Sequence, residues 1–343
     1  MKKVIIILFI ILIAIVLGHN IINNKNNEIL GKKEDEMIII EDEKEKTISP
    51  ISGIHSSIDK VDRRPVAIMF DNHPNARWQA GLSQAEIVYE FFVEHPYTRY
   101  MGIYLVNDPE EIGPIRSSRP YFVTTLLQYD PIYVRAGGSD EAKEYIKELN
   151  ISDIDAITNS ENTFFRNDKV GKKSPHNLYT SMESIRRTQL EKGYNVKAIY
   201  DGFKFYEEDT KMKGQDAVQV NIKYNEENST SYIYNEKDKV YERYKDGEAH
   251  IDEYYNIPIV AKNIIIQEVD TKSIDDEGRL EIDLIGSGKG LYISNGKTKE
   301  IGWTKESKHE KTIYYDENLK EIKLNPGVTW IQITDKKSDI TIK

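Results

Sequence analysis

The sequence predicts an α/β (or α+β) N-terminal domain with a buried mixed sheet, followed by a C-terminal domain that is mainly antiparallel β. Three observations indicate this fold class. Residues 65–70 form a continuous apolar run, which is typical of a strand buried on both faces. Residues 130–146 have the pattern of a strand, a glycine turn and a capped helix, which is half of a βαβ unit. Beyond residue 215, short alternating segments and turn dipeptides dominate.

The first nineteen residues indicate an export signal or a membrane anchor. Lys2 and Lys3 precede an apolar run over residues 4–18, a charge pattern typical of export signals. A helix of these fifteen residues would span about 22 Å, which is shorter than a hydrocarbon core of about 30 Å. Because no small-residue cleavage site follows, we expect an uncleaved N-terminal anchor, with cleavage near residue 20 as the alternative. The two lysines favour a body on the extracytoplasmic side of the cell membrane.

Residues 20–60 are predicted to be a flexible, charged linker. Residues 20–27 are rich in asparagine, and residues 28–46 hold eight acidic and four basic side chains. Mixed charge with few aromatic residues buries too little apolar surface to fold. The rest of the chain is long enough for two domains, which we place at residues 61–205 and 215–343.

The composition excludes several classes of partner. A formal net charge of −10 argues against nucleic acid and against adhesion of the body to an anionic membrane surface. The absence of cysteine excludes disulfides and a cysteine-linked lipid. The histidines show no metal-ligand spacing, so we expect no metal. We expect no cofactor, because the glycine-rich residues 286–290 join two strands and do not open a helix, as a nucleotide site requires.

Polar residues follow the first predicted strand. Asp71 comes directly after the apolar run, where α/β proteins often place their chemistry, although a plain turn is the alternative. Residues 87–93 alternate, which places Glu90 among apolar neighbours. A buried carboxylate needs a partner or a raised pKa. Glu90 is therefore predicted either to pair with a buried arginine such as Arg99 or to act as a general acid or base.

The segment over residues 113–119 gathers two arginines and two serines where a helix is expected to begin. Ser117 or Ser118 is the predicted N-cap. Backbone N–H groups at a helix start, with Arg116 and Arg119 beside them, would suit a phosphate or a carboxylate. The alternative is that each arginine pairs with a structural acid.

Two further segments supply candidate residues. Ser139 is predicted first as a helix cap and second as a ligand contact beside the glycine turn. Residues 166–176 hold four basic residues and one histidine, so His176 is predicted as a general acid/base or an anion ligand, with a solvated basic loop as the alternative. The predicted ligand-binding residues are Arg116, Ser117, Ser118, Arg119, Arg135, Gly138, Ser139, Arg166, His176 and Asn177. The candidate catalytic residues are His176, Glu90 and Asp71.

The C-terminal strands are predicted from alternation and turns. Residues 219–224, 231–234 and 240–244 alternate, and residues 263–269 form a buried run. The Asn295-Gly296 dipeptide between two such runs is a strong hairpin signal. These segments predict a twisted antiparallel sheet.

A set of short segments resembles the YerB-like family of bacterial lipoproteins. The matching segments are residues 64–69, 72–74, 85–90, 112–119, 129–134, 137–139, 175–180, 201–202, 286–288, 295–297, 303–305 and 326–330. The resemblance implies two domains of the family type and an extracytoplasmic location in a Gram-positive-type bacterium. It supplies no reaction, because the family has no established function. His19 stands where a lipoprotein would carry its cysteine.

The sequence leaves functions of different classes open. The first is a membrane-tethered binding protein whose arginines hold an anionic wall component or precursor. The second is a cell-envelope hydrolase or transferase that uses His176 with a carboxylate, Glu90 or Asp71. The third is a scaffold for a membrane protein partner. Catalysis requires His176 and a carboxylate in one cleft, whereas arginines already saturated by structural acids would favour the scaffold.

Overall fold

The computed structural model describes residues 46–158, 162–276 and 278–343. The predicted anchor (residues 1–19) and most of the predicted linker lie outside these residues. Residues 46–60 are folded, which corrects the predicted linker boundary: strands Lys46–Ile48 (β1) and His55–Ser57 (β2) pair, and helix Ile58–Val61 (α1) follows. In the described part of the chain, no helix is long and apolar enough to cross a membrane.

The remaining elements fall on either side of residue 200. Residues 62–200 form β3 Val66–Phe70, β4 Ile87–Phe92, β5 Thr98–Tyr104, α2 Pro120–Leu126, β6 Ile132–Arg135, α3 Asp140–Glu148, β7 Asp153–Asp155, β8 Phe164–Arg166, β9 Leu178–Thr180 and α4 Met182–Glu191. Residues 201–343 form β10 Lys204–Phe205, β11 Gln215–Asp216, β12 Gln219–Asn225, β13 Asn228–Asn235, β14 Val240–Lys245, β15 Glu248–Ala249, β16 Val260–Ala261, β17 Asn263–Val269, β18 Thr271–Ser273, β19 Leu280–Ile282, β20 Gly286–Ser294, β21 Lys297–Lys305, β22 Ile313–Tyr315, β23 Lys323–Leu324, β24 Thr329–Asp335 and β25 Asp339–Ile342.

One mixed sheet extends across both halves of the body. Its strand order is β11-β21-β20-β17-β24-β4-β5-β3-β6-β7, with β22 added on β21. Strand β24 from the C-terminal half pairs in parallel with β4 from the N-terminal half. Strands β6 and β7 are parallel and α3 connects them, which completes the predicted βαβ unit. The two halves therefore share one sheet, and residues 47–343 form one compact unit.

Both faces of this sheet are covered, which explains the continuous apolar run in β3. Ala67 and Met69 lie in one buried cluster with Phe122 of α2, while Val66, Ile68 and Phe70 lie in another. Alternate residues of a strand point to opposite faces, so a strand covered on both sides must be apolar throughout. All five residues of β3 are accordingly buried.

A second, six-stranded antiparallel sheet packs on one face of the large sheet. Its order is β15-β14-β13-β12-β25, with β16 on β14. Val220, Ile222 and Tyr232 of this sheet belong to the same buried cluster as Val66 and Phe70. The mixed N-terminal sheet and the mainly antiparallel C-terminal region confirm the predicted fold class.

The hairpin of β20 and β21 shows one correct prediction and one correction. Asn295 and Gly296 turn the chain with φ values of 50° and 70°, as the dipeptide predicts. The glycine-rich residues 286–290 do not form a connecting loop, since they are the first five residues of β20 and pair with residues 301–305.

Glu90 lies between the two sheets in a fully buried ion pair. Its Oε2 accepts a hydrogen bond of 2.6 Å from Arg243 of β14, and Lys245 lies 3.6 Å from its Oε1. Burial alone would raise the pKa of Glu90, but Arg243 and Lys245 hold that pKa below its ordinary value. Glu90 is thus an ionised structural carboxylate, which removes it from the candidate catalytic residues.

The predicted partner of Glu90 was wrong, although the predicted ion pair was right. Arg99 pairs in register with Phe91, so its side chain leaves the opposite face of the sheet and donates to the carbonyl of Ser117 at 2.6 Å. Arg243, and not Arg99, is the partner of Glu90, and its guanidinium group also stacks 4.3 Å above the Trp330 ring.

We predict that Arg243→Met lowers the free energy of unfolding by about 3–5 kcal/mol, because it leaves a buried carboxylate without its main partner. The measurement is urea unfolding followed by circular dichroism. Lys143→Ala is the control, since it breaks the exposed Lys143–Asp140 pair and should leave the free energy of unfolding nearly unchanged. Equal, small losses in both variants would contradict the structural role of the buried pair.

Candidate functional site

Three segments that are distant in the sequence meet at the carboxylate of Asp71. Asp71 directly follows β3, and its side chain is 4% exposed. Its Oδ2 lies 2.8 Å from His176 Nδ1 and 3.3 Å from Arg116 Nε, and its Oδ1 accepts the backbone N–H of His73 at 3.0 Å. The structure thus brings Asp71 and His176, two of the candidate catalytic residues, into hydrogen-bond contact, and their role stays a prediction.

The two histidines of this cluster are stacked, and their hydrogen bonds assign their tautomers. Their ring centroids lie 4.6 Å apart with an interplanar angle of 18°. A carboxylate can only accept, so neutral His176 carries its proton on Nδ1 and leaves Nε2 as an acceptor. His73 Nδ1 accepts the backbone N–H of Asn75 at 3.1 Å, so neutral His73 carries its proton on Nε2. The neutral pair thus offers one donor and one acceptor.

Arg116 is held in an extended segment beside the end of β3. Its backbone N–H donates to Met69 at 3.0 Å, and its carbonyl accepts the N–H of Ala136 at 3.0 Å. Its side chain is 30% exposed, and its Nε lies nearest to Asp71 without making a hydrogen bond. Within the described chain, neither Nη atom of Arg116 has a partner, so both remain available to a ligand.

The predicted helix N-terminus at this segment was wrong. Helix α2 begins at Pro120 with Arg119 as its N-cap, and it is only seven residues long. The carbonyl of Ser117 accepts from Arg99, and the hydroxyl of Ser118 accepts from Tyr133 at 2.6 Å. Neither serine caps α2, and the buried hydroxyl of Ser118 is used by Tyr133, whereas the ligand contact of Ser117 stays a prediction.

Arg119 and Arg135 are saturated by structural acids, which corrects their assignment to the anion site. Arg119 binds Glu94 through Nε, at 2.6 Å, and through Nη2, while its Nη1 donates to the carbonyl of Ser118. Arg135 binds Asp153 through Nε and Nη2 at 2.9 and 2.7 Å, and its Nη1 lies 3.0 Å from Asp155. Carboxylates of the fold therefore neutralise both guanidinium groups, although Nη1 of Arg135 approaches Asp155 without a hydrogen bond.

The glycine turn after β6 is also structural. Ser139 is the N-cap of α3 and accepts from the N–H of Ala142 at 3.3 Å, which confirms the first prediction for this residue. Gly138 packs closely against Ser118, where a Cβ atom would lie 3.3 Å from the carbonyl oxygen. We therefore leave both residues out of the site.

Residues 166–177, which include His176, form a turn that is fixed by side-chain hydrogen bonds and an ion pair. Arg166 donates to the side chain of Asn177 at 3.0 Å, and Asn177 in turn donates to Asp168 at 2.9 Å. Lys172 lies 2.6 Å from Glu253, which fastens the turn to the C-terminal half. Arg166 and Asn177 thus support the turn, and their ligand contacts stay a prediction.

Two hydrogen-bond paths connect the site to the buried Glu90–Arg243 pair. Arg243 can only donate, so it fixes His250 Nδ1 as an acceptor at 2.5 Å, and His250 Nε2–H donates to Gln79 at 2.7 Å. Gln79 then donates to the carbonyl of Asp71 at 2.8 Å. Burial, reinforced by Arg243, lowers the pKa of His250 well below its ordinary value, so the ring stays neutral in this path.

The second path begins at the other oxygen of Glu90. Oε1 accepts from the hydroxyl of Thr98 at 2.7 Å, and that hydroxyl accepts from the amide of Asn72 at 2.7 Å. Both paths end on consecutive residues, 71 and 72. The buried ion pair therefore positions the backbone from which Asp71 reaches His176 and Arg116.

Sequence reasoning missed His73 and Gln79 as members of this arrangement. His73 lies two residues after Asp71, and this Asp-x-His spacing in a polar turn after a buried strand was the available signal. Gln79 carries no such signal, because its partners Asp71 and His250 come together only in the folded chain.

The cluster is only partly exposed, with His176 at 14% and Arg116 at 30%. Depressions of about 580 and 630 Å³ lie elsewhere, lined by residues such as Lys297 and Arg186. In the part of the chain that the structure describes, no three His, Cys, Asp or Glu side chains are arranged to hold a metal ion. Hydrogen bonding and proton transfer are the chemistry that these side chains themselves can supply.

Comparisons with known proteins cover nearly the whole body. Residues 51–195 match the model "Protein of unknown function (DUF3048) N-terminal domain", and residues 220–331 match the corresponding C-terminal domain. A protein of Bacillus subtilis (strain 168) named "Putative lipoprotein YerB" is 34% identical over 295 residues, which cover 85% of this chain and 87% of that protein. The crystal structure of the Bacillus subtilis YerB protein matches with a TM-score of 0.78 and 32% identity, over 86% of this chain and 100% of that chain.

We predict that Asp71→Asn changes the tautomer of His176, because the carboxylate is what holds the proton on Nδ1. The measurement is long-range ¹H–¹⁵N NMR of the neutral histidines in the wild type and the variant. Wild-type His176 should give the Nδ1–H pattern, and the variant should lose it. His95, which is exposed, serves as the internal control and should not change. An Nε2–H pattern for wild-type His176 would show that the Asp71 contact does not form.

Proposed function

The chain belongs to the YerB-like family, whose two domains carry the description DUF3048, and on this premise we propose that it is a membrane-tethered, extracytoplasmic protein of the bacterial cell envelope. Its N-terminal half binds an anionic wall component or precursor, one that bears a phosphate or a carboxylate. Arg116 is the main contact, and His73 and His176 complete the site.

One observation carries this proposal. Neither Nη atom of Arg116 makes a hydrogen bond to a described residue, whereas carboxylates hold Arg119 and Arg135 through both Nε and Nη2. A guanidinium fork with two donors on one side matches two oxygens of a phosphate or a carboxylate. The Asp71 carboxylate neutralises part of the local charge, but it lies behind the fork, on the Nε side.

The proposed anchor is the apolar segment at residues 4–18. The relative YerB is named a lipoprotein, which supports a membrane-associated, extracytoplasmic location for this chain as well. Because this sequence contains no cysteine, a lipid attached to cysteine cannot supply the anchor here. The apolar segment with its two preceding lysines is the remaining candidate within the sequence.

We predict that Arg116→Ala weakens binding of diethyl phosphate roughly 10- to 100-fold, which corresponds to the loss of about 1.5–3 kcal/mol for hydrogen bonds to a charged group. Isothermal titration calorimetry of the full chain in detergent measures the affinity. Arg187→Ala is the matched control, because Arg187 is a surface arginine on α4, away from Asp71. Acetate in place of diethyl phosphate separates a phosphate ligand from a carboxylate ligand.

Two results would contradict this proposal. Wild-type protein that binds neither anion would remove the function, and equal weakening by both substitutions would indicate nonspecific charge attraction. Circular dichroism of each variant confirms that the fold is retained.

We also predict that the affinity for diethyl phosphate rises as the pH falls below about 6.5, the ordinary pKa of histidine. Burial lowers the pKa of His73, with further lowering by His176, Arg116 and Arg77 that outweighs the opposing effect of Asp71. His73 is therefore neutral at pH 7, and an anion that stabilises its protonated form must take up a proton on binding. Diethyl phosphate stays a monoanion across this pH range, so the protonation state of the ligand does not change. The pH dependence of the affinity therefore comes from the protein. Titrations in buffers of different ionisation enthalpy should show proton uptake, and proton release would contradict the account.

A second candidate function is supported by the 2.8 Å contact between Asp71 and His176. A carboxylate that fixes the Nδ1–H tautomer leaves Nε2 as a base, which could take a proton from water or a hydroxyl group in a hydrolase or transferase. Incubation of the protein with diethyl phosphate, followed by analysis of the products, distinguishes the two functions. A binding protein leaves the phosphodiester unchanged. Product that forms with the wild type and is lost in His176→Ala would favour the enzyme.

A further inference from the structure

We infer that one face of the folded body, built from residues 47–62 and 189–205, lies against the membrane surface. We call this surface the membrane face. The inference rests on the proposed N-terminal anchoring, and it goes further by naming the part of the body that contacts lipid.

The two runs of the membrane face pack against each other. The N–H of Phe203 donates to the carbonyl of Pro50 at 2.9 Å, and Gly53 lies directly against the ring of Phe205. Lys197 forms an ion pair with Asp62 at the far end of the first run. Side chains on either run therefore contribute to one continuous surface.

Exposed apolar side chains are concentrated on this face. Among the described residues, fourteen large hydrophobic side chains are exposed, and five of them lie in these two short runs. The five are Ile48, Ile58, Leu190, Val196 and Ile199. Ile199 is 98% exposed and Leu190 is 65% exposed. Single exposed apolar residues are ordinary, but a group of them on one surface indicates a contact with something apolar.

A shallow depression adds to this surface. It has a volume of about 390 Å³ and is lined by residues 195–199 and by Asp130. An isoleucine that is almost fully exposed on a loop gains free energy by entering the acyl boundary of a bilayer, because its apolar surface is then removed from water.

The membrane face carries less net negative charge than the rest of the protein, which favours its contact with a lipid surface. The two runs hold four basic residues, Lys60, Lys192, Lys197 and Lys204, and four acidic residues, Asp59, Asp62, Glu191 and Asp201. The whole chain has a net charge of −10. The two runs are thus balanced in charge, although Asp108, Glu321 and Asp130 of other segments border them, so this face should repel an anionic bilayer less than the remaining surface does. Long lysine side chains can also reach the headgroups while the apolar residues stay below.

The position of the face in the chain selects lipid as the occupant. The described body begins with the strand that opens this face, and the forty-five residues before Lys46 include the proposed anchor. A surface that lies next to the attachment point has a high effective concentration at the membrane. The position of the face in the chain does not favour a protein partner in the same way.

Site-directed spin labelling of the full chain in proteoliposomes tests this inference. The sequence has no cysteine, so Ile199→Cys and the control Ile233→Cys each give a single labelling site. Ile233 is exposed on β13 of the second sheet, away from the two runs. In liposomes with phosphatidylglycerol, the label at residue 199 should gain access to oxygen and lose access to a water-soluble nickel chelate, and the label at residue 233 should do neither.

The outcomes separate this inference from the proposed anchoring. Equal access to the nickel chelate at both labels, in protein that floats with the liposomes, would overturn the membrane face and leave the anchor intact. Shielding of residue 199 from both reagents would indicate a protein contact and would also overturn it. Failure of the unlabelled chain to float with the liposomes would instead remove the anchoring on which the inference rests.

Discussion

The ion pair between Glu90 and Arg243 is the interaction on which the arrangement of the body depends. The two charges come from different sheets and are 153 residues apart in the chain, yet both are fully buried. A buried carboxylate without a partner is costly, so the second sheet must pack where β14 delivers its arginine. From this pair, hydrogen bonds through His250 and Gln79, and through Thr98, reach the two residues after β3.

The position of the candidate site follows from that support. The hydrogen bonds from the buried ion pair fix the backbone at Asp71. The Asp71 side chain in turn orients His176 and Arg116, which belong to two other segments. The neighbouring arginines have a different task, since Arg119 and Arg135 fasten parts of the fold together through their own carboxylates. Arg116 differs in keeping donors that no described residue uses. This contrast separates Arg116 from these two neighbouring arginines.

Much of the local structure could be predicted from the sequence, because its signals are local. The apolar run of β3, the cap at Ser139 and the Asn295-Gly296 turn each act within a few residues. The start of α2 was also a local signal, but it was overlooked: Pro120 suits the first helical position, which moves the helix start beyond the two serines.

Long-range pairing could not be predicted, because alternation shows that a side chain is buried and does not show its partner. Glu90 was correctly placed in an ion pair, but Arg243 lies far along the chain, in a segment with no distinguishing pattern. The partners of Arg116, Arg119 and Arg135 could not be predicted for the same reason. Only the folded chain shows which acids, such as Glu94 and Asp153, lie close to each arginine. The site residues Asp71, Arg116 and His176 were selected by type, and the fold decided which of the selected residues meet.

The most direct test of the central claim is a crystal structure of the protein grown with diethyl phosphate. The account predicts a bound phosphate within hydrogen-bond distance of the Nη atoms of Arg116, with at least one of His73 and His176 in contact. A structure in which Arg116 turns away from Asp71 and the phosphate binds elsewhere, or nowhere, would contradict it.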